Sequence, residues 1–250
     1  GSSSARDMGR WMALVLAQGL HEGMPFIAKE ALLPAITPQS VSSPPASPDA
    51  RAGTYGYGFG VAVPPSGRVS LAHSGAFSLG AATTYMMIPS LDLGIVVLTN
   101  ATPVGAAEAV AATFMDLAQF GRSTRDWYAA YNGLMTPLMG PTGALVGKPR
   151  PADAKPPRDL SAYVGRYDNA YYGVGRIERR GEGLALLLGP QDQAQTLEPW
   201  AGDEFIFRPN NEDAPKGSIS RVSFTEFADG RARAMTVEAL EDSGFGTFKR

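Results

Sequence analysis

The sequence predicts an α+β fold in which helices and an antiparallel sheet come first and a small all-β barrel follows. Up to about residue 138, stretches with helical spacing flank apolar stretches that alternate with a period of two. From Leu160 onward, only short apolar stretches between turn residues recur. A stretch rich in Pro, Gly and Ala separates the part with helix and strand patterns from the part with strand patterns alone. We therefore predict a first part at residues 1–138, a Pro-rich linker at 139–158 and a barrel at 159–250.

The composition excludes several classes of function. Of the 250 residues, 44% are hydrophobic, which is enough for a core, and the net charge is -2, so no basic surface predicts binding of nucleic acid. The sequence has no cysteine and only two histidines, His21 and His73, so we expect neither a bound metal ion nor another cofactor. It has no apolar run of the ~20 residues that a membrane span needs.

The first part begins with helical patterns. Ser4 is a plausible N-cap, and the apolar spacing after it predicts a helix over about 5–18. A second short helix is predicted over about 25–33. Residues 34–53, rich in Pro, Ser and Ala, predict a surface loop.

An antiparallel meander is predicted next, because short turns join its strands. The continuous apolar run at 94–100 suits a buried central strand. Helices are predicted over 106–120, packed on the sheet, and from Ser123 through Tyr131. The predicted strands are Tyr57–Val63, Val69–His73, 81–88 and 94–100.

The barrel is predicted from short apolar stretches separated by turn residues such as Gly181, Gly189 and the Asp229-Gly230 pair. Seven or eight strands at this spacing are typical of a small barrel or curled sheet. The stretches are Tyr163–Tyr167, Gly175–Arg179, Leu184–Leu188, Glu204–Phe207, Val222–Phe227, Ala234–Val237 and Gly246–Phe248.

One short segment, His73-Ser74-Gly75-Ala76, carries the candidate site. A histidine at the end of a strand is more often a hydrogen-bonded core residue than a functional one. A functional role for His73 is favoured by the order of four segments along the chain, which are Ser3 to Met8, Tyr55 to Gly60, His73 to Gly75 and Ile88 to Asn100. In this order they resemble the C-terminal half of the serine β-lactamases, DD-peptidases and esterases of peptidase family S12.

The barrel sequence resembles the lipocalin-like C-terminal domain that is appended to some S12 peptidases. The segments that carry this second resemblance are Tyr163-Val164-Gly165-Arg166-Tyr167, Tyr172-Gly173, Leu184-Ala185-Leu186 and Gly202-Asp203-Glu204-Phe205.

The first resemblance implies roles for the four site residues. His73 would take the place of the basic residue of the family's third motif, and Ser74 would offer a hydroxyl to the substrate. Gly75 would allow close approach of the substrate backbone, and the N–H of Ala76 would form half of an oxyanion hole. The implied substrate is a small peptide, a β-lactam or an ester, and the implied location is periplasmic or secreted.

The departure from this family is the nucleophile. No serine in the sequence is followed three residues later by lysine, the S-x-x-K spacing that the family uses. Tyr167-Asp168-Asn169 matches the family's Y-x-N pattern literally, but it lies in the barrel part and we interpret it as coincidence. We therefore expect a fragment of a longer hydrolase that is inactive alone and exposes a sheet edge, through which it could form a homo-oligomer.

Two other hypotheses stay open. The chain could be a non-catalytic binding or oligomerisation module whose barrel holds an apolar ligand or a partner strand, or its upstream half could be supplied by another polypeptide after processing. The aromatic residues that could line such a barrel cup, or equally fill a solid core, are Tyr171, Tyr172, Trp200, Phe205 and Phe207.

Overall fold

The computed structural model describes residues 3–209, 211 and 214–250, and these residues confirm the α+β class. They divide into two compact units, Gly1–Met139 and Gly140–Arg250. The first contains helices and an antiparallel sheet, and the second contains a closed barrel of eight strands. No helix among the described residues is long and apolar enough to cross a membrane.

The first unit begins with helix α1, Ala5–Leu16. The predicted cap is confirmed, because the Ser4 hydroxyl accepts a hydrogen bond from the Asp7 N–H at 3.2 Å. A two-residue hairpin follows, formed by β1, Leu20–His21, and β2, Met24–Pro25. Helix α2 is therefore only Lys29–Leu32, shorter than the predicted 25–33.

A six-stranded antiparallel sheet forms the centre of the first unit, with its strands in sequence order. The predicted loop at 34–53 was wrong in part, because residues 40–43 form the first strand. Their pairing partner is Gly53–Tyr55, a non-local contact that the Ser- and Pro-rich composition does not reveal. The strands are β3, Ser40–Ser43; β4, Gly53–Tyr55; β5, Gly60–Ala62; β6, Ser70–Phe77; β7, Ala81–Ile88; and β8, Leu93–Thr99.

Strand β8 is the last strand of this sheet, so its prediction as a central strand was wrong. The two faces of the sheet explain the apolar run, since helix α1 packs on β8 and so does the helix that follows the sheet, α3, Ala106–Phe120. An apolar run indicates that both faces are covered, but it does not indicate the position of a strand in the sheet. The bounds of α3 and its packing on the sheet are as predicted.

The outer edge of β8 is expected to make the chain self-associate. This edge has no strand partner among the described residues, and β8 contains neither proline nor a charged residue to prevent pairing. Leu98→Lys places a charge on a side chain that is 41% exposed, and it should shift the mass measured by light scattering toward the monomer. Val63→Lys, at a similarly exposed position away from β8, is the matched control. A chain that stays monomeric at high concentration would contradict this expectation.

A helical hairpin closes the first unit. Helix α4 covers Trp127–Leu138, and its cap is Asp126 rather than the predicted Ser123. The buried carboxylate of Asp116 in α3 holds the turn between the two helices. It accepts hydrogen bonds from the Thr124 N–H and hydroxyl at 2.7 and 2.6 Å and from the Trp127 indole at 2.7 Å.

The Asp116 carboxylate should make the stability of the first unit depend on pH. Burial alone would raise its pKa, but the hydrogen bonds from Thr124 and Trp127 outweigh burial and hold the pKa below its usual value of 3.8. Its contribution is therefore present above the pKa of the unfolded state and is lost as the pH falls through the lower folded-state pKa. Asp116→Ala should cost about 2–3 kcal/mol at pH 7.

The measurement is thermal unfolding of the wild type and of Asp116→Asn between pH 7 and pH 2.5. Part of the acid destabilisation should be missing in the Asn variant, because its amide has no acidic proton to gain. An identical pH dependence of the two melting temperatures would show that Asp116 does not contribute.

The Pro-rich segment after α4 folds against the barrel, within the second unit. The Ile219 N–H donates to the Thr142 carbonyl at 2.9 Å, and the Arg150 guanidinium donates to the Trp200 carbonyl at 2.7 Å. Leu145 packs with Trp200 and Ile206 on the outside of the barrel. The predicted linker at 139–158 is thus partly ordered on its neighbour, since prolines and small residues can cover an apolar surface without regular structure.

The barrel is an antiparallel meander in which each strand pairs with the next along the chain. The closing contact joins the last strand to the first through the pair Lys249 and Asp168. There the Arg250 guanidinium donates to the Val164 carbonyl at 2.7 Å and to the Tyr167 hydroxyl at 2.9 Å. The strands are β9, Gly165–Asn169; β10, Gly173–Arg180; β11, Gly183–Leu188; β12, Gln193–Ala201; β13, Glu204–Phe207; β14, Ser220–Thr225; β15, Ala234–Val237; and β16, Thr247–Lys249.

Candidate active site

Strand β6 contains all four residues of the predicted motif. The prediction that the motif follows a strand ending at His73 was wrong, because β6 continues to Phe77. The hairpin with β7 extends it, with His73 opposite Tyr85 and Gly75 opposite Thr83. Cross-strand pairing therefore overrides the low β-propensity of serine and glycine here.

The alternation of a strand separates the four residues into two pairs. His73 and Gly75 lie on the face of the sheet that also carries α1, whereas Ser74 and Ala76 lie on the face that carries α3. Consequently His73 and Gly75 come together, and the hydroxyl of Ser74 is on the other side of the sheet. The implied contact of the Ser74 hydroxyl with a substrate stays a prediction.

The imidazole of His73 is exposed and lies beside two tyrosine rings. Its centroid is 6.0 Å from that of Tyr55 and 6.4 Å from that of Tyr85. Burial first, and then the neighbouring Tyr55, raise the pKa of Tyr85 well above its usual value of 10.0. The Tyr85 hydroxyl therefore stays protonated, and it donates to the Gly58 carbonyl at 2.9 Å. This contact fixes an aromatic wall against which the histidine can be oriented.

A groove of about 630 Å³ lies over this face of the sheet. A Cβ added at Gly75 would meet only the Thr83 hydroxyl, at 3.4 Å, so the space above the glycine is open to a ligand. The lining is mixed, with apolar side chains beside the imidazole. The lining residues are Ser3, Met8, His73, Gly75, Phe77, Thr83, Thr84, Tyr85, Val96 and Leu98.

One edge of β6 is open next to the motif. Strand β5 pairs only with residues 70–72, so residues 73–77 have no strand on that side among the described parts of the chain. Alternate residues of a strand direct their N–H and C=O groups to the same side. Some backbone amides of 73–77 therefore face the open edge, where an oxyanion could bind. Assignment of that role to the Ala76 N–H stays a prediction.

The other face of β6 carries contacts that the sequence analysis missed. The Ser74 hydroxyl donates to a carboxylate oxygen of Glu108, and the Thr84 hydroxyl donates to the His73 carbonyl at 3.1 Å. The hairpin register could have placed Tyr85 and Thr84 beside the motif. Helical spacing could have indicated that Glu108 is buried, since it shares the buried face of α3 with Ala112 and Met115.

The literal Y-x-N match has a structural role in the barrel. Tyr167 is fully buried, and its hydroxyl donates to the Tyr163 carbonyl at 2.7 Å. The Asn169 side chain accepts from the N–H groups of Tyr171 and Tyr172, both at 2.8 Å. These contacts account for the motif without any catalytic function.

The barrel aromatics lie in the packed interior or on the outer surface. Phe205 and Phe207 pack in the interior, and Trp200 packs on the outer surface. Tyr171 is 72% exposed. Phe207 also lines a pocket of about 440 Å³ together with Leu188 and Val237, so binding of an apolar ligand in the barrel stays a prediction. Among the described residues, no group of three or more His, Asp or Glu side chains could hold a metal ion.

Comparison with known families assigns both parts of the chain. Residues 1–120 match the family described as Beta-lactamase, and residues 149–247 match a domain of unknown function, DUF3471. The chain carries a β-lactamase-like portion followed by an all-β barrel domain. The portion that matches Beta-lactamase contains β6 and the groove. None of the curated proteins compared with the sequence matches it.

Solved structures similar to this β-lactamase-like chain include two penicillin-binding proteins. The C-terminal domain of one is 37% identical, over 44% of this chain and 100% of that chain, with a TM-score of 0.38. The octameric penicillin-binding protein homologue from Pyrococcus abyssi is 15% identical, over 94% and 45%, with a TM-score of 0.38. The structure of SurE with D-Leu is 17% identical, over 99% and 50%, with a TM-score of 0.33. The chain thus spans about half the length of the latter two.

Proposed function

We propose that residues 73–76 form one wall of the active site of a serine hydrolase that transfers acyl groups from an amide, a β-lactam or an ester. The observation that carries the proposal is that His73, which is exposed, and Gly75 lie on the same face of β6 and line the groove. The edge of β6 is open at these two residues. A substrate backbone lying along this edge would complete the strand pairing that β5 leaves unfilled. The proposal includes the finer assignment to peptidase family S12.

Three residues of the wall, His73, Gly75 and Ala76, have physical roles in this proposal. The imidazole of His73 donates a hydrogen bond or a positive charge to an anionic group of the substrate or to a tyrosine of the missing machinery. Gly75 leaves room for the substrate backbone. The Ala76 N–H stabilises the oxyanion of the tetrahedral intermediate, an interaction typically worth about 3 kcal/mol in the transition state.

The nucleophile of the proposed reaction comes from outside this sequence. No S-x-x-K spacing occurs in the 250 residues, and the hydroxyl of Ser74, the serine within the motif, donates to Glu108 on the opposite face of the sheet. The chain would then be a truncated part of a longer hydrolase, or one of two polypeptides that together form the site, and inactive by itself. The family resemblance also supports a periplasmic or secreted location, which a signal peptide in the full gene product would test.

The test is the substitution His73→Ala in a longer form of the protein that carries an S-x-x-K segment. Loss of the imidazole should lower kcat/KM for nitrocefin or a p-nitrophenyl ester about 100-fold or more, the usual effect of removing a group that stabilises the transition state. His21→Ala is the matched control, since His21 is the other histidine and lies exposed in the β1–β2 hairpin. Unchanged kinetics of the His73 variant would refute the proposal.

A further inference from the structure

Glu108 is an acid in an apolar environment. It lies in the first turn of α3 and is only 5% exposed, beside Ala107 and Ala111, which are fully buried. A buried carboxylate is unfavourable unless hydrogen bonds replace the water that it loses. The amide dipoles at the start of α3 favour its negative charge, but they do not select a particular direction for the side chain.

The hydrogen-bond partner of Glu108 is the candidate site strand. Its Oε1 accepts from the Ser74 hydroxyl, whereas its Oε2 is buried without a hydrogen-bond partner among the described residues. Within the described part of the chain, the one hydrogen bond of this carboxylate thus reaches from α3 to β6, at the residue adjacent to His73. A side chain needed only to fill space at this position could be apolar.

The part of β6 that donates this hydrogen bond is held less firmly than the rest of the strand. Residues 70–72 have strands on both sides, whereas 73–77 pair with β7 alone. Two hydroxyl contacts compensate from behind the sheet. One is the bond from Thr84 to the His73 carbonyl at 3.1 Å, and the other is the bond between Ser74 and Glu108.

We infer that Glu108 is a positioning residue that holds residues 73–77 from the rear face of the sheet. Through Ser74 it fixes the strand that presents His73 to the groove and backbone amides to the open edge. Its importance for catalysis rests on the proposed function. Its effect on the strand is a property of this chain and can be measured without any reaction.

Asp116 provides an internal comparison. It is the other buried acid of α3, 6% exposed, and its carboxylate accepts three hydrogen bonds from Thr124 and Trp127 in the turn to α4. None of these partners belongs to the sheet. Two equally buried acids on one helix thus differ in what they hold, so a general effect of altering α3 can be separated from a specific effect on β6.

The experiment is amide hydrogen exchange of the chain itself, comparing Glu108→Leu, Glu108→Gln and Asp116→Asn. Glu108→Leu should accelerate exchange in residues 73–77 by about tenfold or more and shift the imidazole resonances of His73. Glu108→Gln keeps a carbonyl oxygen as acceptor and should restore protection to within about threefold of the wild type. Asp116→Asn should loosen residues 122–127 and leave 73–77 unchanged.

A second variant guards against failure of Glu108→Leu to fold. Ser74→Ala removes the donor from a solvent-exposed position, so it should accelerate the same amides, and adding Glu108→Gln to it should produce no further change. The inference is overturned if residues 73–77 respond no more to these variants than to Asp116→Asn. Such an outcome of the exchange experiment would not affect the proposed function. Conversely, normal activity of His73→Ala in the longer protein would refute the proposed function but not the positioning role of Glu108.

Discussion

A fluorescent penicillin should leave this chain unlabelled, and the chain should turn over nitrocefin and p-nitrophenyl esters no faster than buffer does. The physical reason is the lack of an activated nucleophile, since a serine hydroxyl is a weak nucleophile until an adjacent base takes its proton. No serine here has a lysine one helical turn away. Loss of a nucleophile and its base removes a rate factor of about 10⁶ in serine hydrolases.

Mass spectrometry of the intact chain after incubation with the penicillin measures this directly. A serine hydrolase that carries S-x-x-K is the positive control for labelling. Ser74→Ala tests one possible source of an adduct, because the Ser74 hydroxyl in the motif contacts the Glu108 carboxylate. An adduct that forms on the wild type and disappears in that variant would show that Ser74 is itself the nucleophile.

Phe205→Ala should destabilise the barrel by about 3–5 kcal/mol, the usual cost of removing a buried aromatic side chain. Phe205 is 1% exposed, and its ring packs edge-on against Tyr163 at 5.0 Å and against Phe224 at 5.7 Å. Because these rings pack against Phe205, the cavity that its loss leaves cannot be filled without moving them. Small domains have only about 5–15 kcal/mol of total stability, so this single change removes a large part of it.

Urea unfolding monitored by the fluorescence of Trp200 measures the effect in the barrel unit, with Trp11 and Trp127 replaced by Phe so that they do not contribute to the signal. Tyr171→Ala is the matched control, because it also removes an aromatic ring but from a side chain that is 72% exposed. It should change stability by no more than about 0.5 kcal/mol. Equal effects of the two substitutions would mean that the interior is not the packed core described above.

Local signals predicted much of this fold. Helix α3 has the predicted bounds because its apolar residues recur at helical spacing and glycines stand on both sides of it, at Gly105 and Gly121. The strand at 81–88 was also bounded correctly, by a glycine before it and a proline after it. In the barrel, β12 was missed because Gln193 to Pro199 is mostly polar, and pairing with its neighbours rather than composition makes it a strand.

The environment of the motif was less accessible to sequence reasoning. The pattern His-Ser-Gly identified the strand, but which residues share a face with His73 depended on β6 continuing through the motif. The contact between Ser74 and Glu108 joins residues 34 positions apart, on a strand and a helix that no local pattern relates. Tertiary pairing of this kind is set by packing of the whole sheet.

The closing contact of the barrel has a consequence for how its chain could be rearranged. Strands β9 and β16 lie side by side, with Arg250 bonded to the backbone at Val164. A peptide that joins Arg250 to the start of the unit at Gly140 would keep this contact, and new termini could be opened at the exposed turn around Gly181 without removing any strand pair. Such a circular permutant would keep every neighbour relation of the meander, so we expect it to fold into the same barrel.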